Sequence, residues 1–104
     1  MKKSDSDENT SLLKQAYSEM LILRRNELGY TQKYSTEKCG ISEREYSNIE
    51  RQKFLPSTET SANMRIALGI DINKVVDLAV EKGYVVTDKV WTNIFRGVFT
   101  PLGS

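Results

Sequence analysis

Apolar residues in the first third of the chain recur at spacings of three and four. Leu12, Leu13, Ala16, Tyr17, Met20, Leu21, Leu23 and Leu28 trace one face of a helix from about 11 to 28, with Thr10 or Ser11 as its N-cap and Gly29 as its stop. The polar, charged residues 1–9 before it have little to bury and read as a disordered lead-in. Thr31 caps a second, shorter helix that runs to about Lys38, and Gly40 supplies a residue tolerant of left-handed backbone. Ser42 caps a third helix, with Glu45 three residues on completing a capping box. That helix turns Tyr46 and Ile49 inward and ends near Arg51. Residues 54–57 form a loop, because Pro56 disfavours helix at Leu55 and Ser57 can cap the next helix. A fourth helix over about 58–68 buries Ala62, Ile66 and Leu68 and closes at Gly69. A fifth starts from Asp71 or Asn73 and buries Ile72, Val75, Val76 and Ala79, and Gly83 ends the compact part. Beyond it, Thr87 and Asp88 suit the cap of a last helix with an apolar stripe of Val90, Trp91, Ile94, Phe95, Val98 and Phe99.

The expected architecture is therefore all-α. A five-helix domain occupies residues 10–83, and a C-terminal extension, read as helical, occupies 84–104. Its second and third helices are joined by only Gly40, Ile41 and Ser42, the helix-turn-helix arrangement that sets a second helix in the major groove of DNA. Double-stranded DNA is thus the first partner to consider. With 104 residues and 38% hydrophobic content, the chain has room for one small core. Its net charge is only +1, but residues 24–53 hold seven cationic side chains against five anionic ones, so the excess lies in the candidate motif.

Other classes of function are disfavoured. No apolar run approaches the roughly 20 residues that span a bilayer, and Lys2 and Lys3 lead into polar residues, so a cytoplasmic location without a membrane partner is expected. The single cysteine, Cys39, and the absence of histidine exclude an internal disulfide and a Cys/His metal site. No cofactor is expected. Cys39 lacks a base partner and reads as a small packing residue, and Glu43 and Glu45 do not face each other on a helix, so no catalytic site is expected. Arg24, Lys33 and Lys38 read as solvated charges.

Five pieces of the chain, in order, carry a resemblance. They are residues 24–32 (RRNELGYTQ), 39–42 (CGIS), 46–51 (YSNIER), 55–57 (LPS) and 66–70 (IALGI). Together they resemble the Cro/CI-type, or XRE-like, helix-turn-helix family, which includes the lambda repressor-like domains, and the match spans about Leu12 to Leu78. The resemblance implies a five-helix lambda repressor-like DNA-binding domain with residues 31–39 as positioning helix and 42–51 as recognition helix. It places base reading on Glu43, Arg44, Glu45 and Asn48, with Arg44 foremost. The residue types suit the task, since Arg can pair bidentately with guanine, Asn with adenine, and Glu can accept from cytosine N4. It implies phosphate contacts from Gln32, Ser42, Ser47, Arg51 and Lys53, and a structural ion pair between Arg25 and Glu50.

The sequence departs from the family pattern at Ser35 and Thr36, where Leu and Ala are usual, at Gln52 in place of a common Gly, and at Ser61 and Arg65. The function implied is a transcriptional repressor binding a palindromic operator as a homodimer; the stripe of Val90, Trp91, Ile94, Phe95, Val98 and Phe99 either closes over the five-helix core or, left exposed, is the candidate dimer contact. The competing expectation is an antitoxin-like or partner-binding interaction module with little DNA affinity, whose regulatory protein partner would use the same stripe.

Overall fold

A computed structural model describes residues 5–86, with side chains from Glu8 onward, and shows five helices in the order α1 (Asp5–Leu28), α2 (Gln32–Cys39), α3 (Glu43–Glu50), α4 (Thr58–Leu68) and α5 (Ile72–Glu81). The helix starts arise from side-chain acceptors placed at the free N–H groups of each first turn. Thr31 accepts from Tyr34 N, Ser42 from Glu45 N, Ser57 from Thr60 N and Asp71 from Asn73 N. Each such cap contributes about 1 kcal/mol. The stops are left-handed residues that let the next two amides fold back onto the last carbonyls. At Gly40, φ is 69°, and Gly40 N and Ile41 N bond Glu37 O and Thr36 O. After α3 the same motif is built on Gln52, the only non-glycine with positive φ (66°) among the described residues.

α1 is the spine of the molecule. It presents Ala16, Tyr17 and Leu21 to a core completed by Cys39 of α2, Tyr46 and Ile49 of α3, Met64 and Leu68 of α4, Ile70, and Val75 and Ala79 of α5. α5 lies along α1, α3 and α4 pack against it, and α2 rests on α3 and α4. The chain after α5 returns to α1, where Asn9 donates to Val85 O (2.8 Å) and accepts from Val85 N (3.3 Å).

Several expectations from periodicity are corrected. α1 begins at Asp5, so Thr10 and Ser11 lie inside the helix and the expected lead-in is helical from its fifth residue. Asn9, polar and therefore unmarked by hydrophobic pattern, is buried in this first stretch. Leu23 is 51% exposed. On α4 the inward row is Thr60, Met64 and Leu68, while Ala62 is exposed and Ile66 is 84% exposed. Residues two apart on a helix point about 200° away from each other, so Ile66 and Leu68 cannot both face the core. On α5, Val75 and Ala79 are buried, but Ile72 and Val76 remain exposed. The expected last helix, with Val90, Trp91, Ile94, Phe95, Val98 and Phe99, lies outside the described residues.

Candidate nucleic-acid interface

α2 and α3 meet through the three-residue turn 40–42, and the inner face of α3 fixes how its outer face is presented. Tyr46, Ile49 and Glu50 are buried at spacings of three and four. Glu50 is the unusual member of this row, since its side chain is only 6% exposed. It is satisfied from three directions. Arg25 donates through Nε to Oε2 (2.8 Å) and through Nη2 to Oε1 (3.4 Å), and Gln32 Nε2 donates to Oε1 (3.0 Å). The backbone carbonyl of Glu50 accepts from the Ser18 hydroxyl. Arg25 also reaches Tyr30 O through Nη1 (3.2 Å). One carboxylate thus links α1, the start of α2 and the end of α3, and its hydrogen bonds push the Arg25 pKa further up.

Around this hub the interior is polar where the family pattern has apolar residues. Ser35 and Thr36 are buried on α2, and Ser35 Oγ, Thr36 Oγ1 and Tyr46 Oη have no hydrogen-bond partner of good geometry among the described residues. Burial raises the Tyr46 pKa strongly, Glu50 nearby adds to this, and Ser35 and Arg25 counter it only partly. Cys39 is almost fully buried, which pushes its thiol up to about 11, so it is protonated at neutral pH and serves as a packing group.

The outer face holds the other residues singled out by sequence. Glu43, Arg44 and Glu45 are exposed in the first turn of α3, Ser47 and Asn48 are half-buried one turn on, and Arg51 and Lys53 are exposed beyond its end. Among the described residues, no side-chain hydrogen bond or ion pair engages Arg44, Asn48, Arg51 or Lys53, so their donors are available to an incoming ligand.

Other side chains are partly engaged. Ser42 Oγ accepts from Glu45 N but keeps its own O–H, and Gln32 gives one amide N–H to Glu50 and retains the second. Glu45 does not return the bond a capping box requires. Its Oε2 instead accepts from the Thr60 hydroxyl (2.9 Å), which also explains why Thr60 occupies the inward row of α4.

Sequence reasoning missed two supports. Arg24, read as a solvated charge, donates through Nε to Leu68 O (2.8 Å) at the C-terminus of α4 and pairs with Glu27 (3.0 Å). A cation there satisfies an orphan carbonyl and opposes the negative end of the helix dipole. Arg24 sits so close to Gly69 that a Cβ at that position would lie 3.2 Å from its Nη2. The other is the Glu45–Thr60 bond. Neither has a local sequence signal, because both join residues far apart in the chain.

A family model described as helix-turn-helix matches residues 21–75, from the last third of α1 into α5 and over more than half of the chain. Comparison with curated proteins and with solved structures found no match.

Proposed function

The chain belongs to the Cro/CI-type (XRE) helix-turn-helix family of DNA-binding transcription regulators, and from that premise we propose that it is a cytoplasmic repressor binding a palindromic operator as a homodimer. The observation carrying this reading is the contrast between the two faces of α3. One face is locked by Tyr46, Ile49 and the Arg25–Glu50 pair, and the other offers Arg44 and Asn48 with no partner among the described residues. A rigid helix with free donors on its outer face is suited to the major groove.

In this reading Arg44 pairs with guanine, Asn48 with adenine, and Glu43 accepts from cytosine, while Glu45 contributes the oxygen that Thr60 leaves free. Gln32 donates its second amide hydrogen to a phosphate beside the free N–H groups of the first turn of α2, and Ser42 donates its hydroxyl. Ser47, Arg51 and Lys53 extend the backbone contact along the groove edge. Occupying an operator that overlaps a promoter then blocks transcription. The apolar residues of the 84–104 extension join two copies, so that half-sites lie about 34 Å apart.

Duplex affinity measured across a salt series tests the role in DNA binding. Affinity falls steeply with salt, and Lys53→Ala lowers the slope by about one phosphate contact while weakening all sequences alike. Binding insensitive to salt would overturn the reading and favour a protein-interaction module.

A further inference from the structure

Of the four side chains placed at the bases, Glu45 alone is held by another side chain among the described residues. Its Oε2 accepts from the Thr60 hydroxyl at 2.9 Å. The Thr60 oxygen in turn accepts from Ser57 Oγ (3.2 Å), and Ser57 Oγ accepts from Thr60 N (3.1 Å). A hydroxyl carries a single hydrogen, so both protons point the same way, from Ser57 through Thr60 to the carboxylate. Bonds aligned like this polarise one another, and the last of them ends on a charged acceptor.

The two ends of that last bond differ in freedom. Thr60 is 5% exposed in the first turn of α4, a helix packed on α1 and α2, and its branched Cβ restricts χ1. Glu45 is exposed in the first turn of α3, and its Oε1 meets no described residue. A free glutamate samples many rotamers, which a base contact must then freeze. Holding one oxygen on a buried anchor removes much of that freedom before any duplex arrives.

The anchor also sets a direction. Successive residues on a helix are turned by about 100°, so Glu45 stands roughly 60° around α3 from Asn48 and about 100° from Arg44. It therefore lies at the edge of the outer face, on the side of α4, while Tyr46 and Ile49 face the core.

We infer that Thr60 is a positioning residue for base recognition, holding Glu45 so that its Oε1 accepts from the N4 amino group of a cytosine in the major groove. The inference rests on the DNA-binding reading above and names the residue that sets specificity at one base. A carboxylate oxygen only accepts. Guanine and thymine turn acceptors toward the major groove, and adenine sets its N7 acceptor beside its N6 donor. Cytosine offers the N4 donor alone, so it is the base that a fixed carboxylate favours.

The test is selection of bound duplexes from a random pool by the full chain and its variants. Wild type is expected to prefer cytosine at one position of the site, and Glu45→Ala to abolish that preference. Thr60→Val keeps the shape and removes the hydroxyl, so it should weaken the same preference about tenfold while the preferences read by Arg44 and Asn48 persist. Thr60→Ser should restore it, and Thr60→Val should change nothing further in a Glu45→Ala background. Thr60→Ala gives the same readout if Thr60→Val loses its helical circular dichroism. A Thr60→Val protein that weakens on all sequences alike, with the cytosine preference intact, would make the bond a structural tie only and overturn the inference. So would a Glu45→Ala protein that keeps the preference. Both outcomes leave DNA binding standing, whereas a folded wild type that enriches no sequence would overturn that reading and the inference with it.

Discussion

Glu50 joins α1, α2 and α3 through one carboxylate. A nearly buried carboxylate is tolerable only because Arg25 and Gln32 satisfy it, and removing one partner leaves an uncompensated charge inside the protein. Arg25→Ala is therefore expected to destabilise by about 3 kcal/mol in urea unfolding. Replacing both Arg25 and Glu50 by apolar residues should cost much less than the sum of the single changes. Additive losses would show that the two do not act as a pair.

The buried thiol gives a pH signature. In the unfolded chain Cys39 ionises near its ordinary value of 9.0, whereas in the fold burial holds the proton up to about 11. The folded state then binds more protons across that window, so stability falls as pH rises from about 9 to 11, and Tyr46 and Tyr17, both raised above 10.0 by burial, extend the fall. Cys39→Ala should remove the onset near pH 9, and an unchanged profile would contradict this. At this scale the Arg25–Glu50 pair, the Cys39 packing role and three of the caps are readable from the chain. Arg24 on Leu68 O and Asn9 on Val85 are not, because they depend on contacts that only the assembled fold creates.

The helices carry costs at two places where this chain departs from its family. Gln52 adopts a left-handed conformation that a Cβ disfavours, so Gln52→Gly should stabilise the protein by about 1 kcal/mol. For a domain of this size that is a rise of roughly 4–8 °C in melting temperature. A lower melting temperature would mean that Gln52 makes a compensating contact. Thr36 buries a hydroxyl without a partner among the described residues, and Thr36→Val keeps its shape while removing the polar group, so it should stabilise by about 1 kcal/mol.

Element positions are more legible than element faces. Caps mark where α2 to α5 begin and glycines where α2, α4 and α5 end, because they answer a local hydrogen-bond need, whereas α3 stops on Gln52. The inward row of α4 defies periodicity because Thr60 is buried as a polar partner of Glu45 while Ile66 points outward, the reverse of what hydrophobicity suggests. The early start of α1 is hidden because Asp5 to Thr10 offer no apolar period. On α5, Ile72 and Val76 continue the expected stripe but stop at its edge, where they wall a groove instead of filling the core.

For the molecule as a whole, the helix-turn-helix identity can be read from five short pieces of sequence, and the family match over residues 21–75 rests on the same region. The proposed interface is an arrangement of α2 and α3 that depends on α1 through Glu50, so its orientation comes from the fold and not from the motif alone. The most direct measurement is a selection from a random duplex pool at moderate salt with wild type and Arg44→Ala side by side. A palindrome with half-sites about one helical turn apart, in which Arg44→Ala loses one guanine preference worth about 1–3 kcal/mol, is the predicted result. A folded wild type that enriches no sequence would contradict the account.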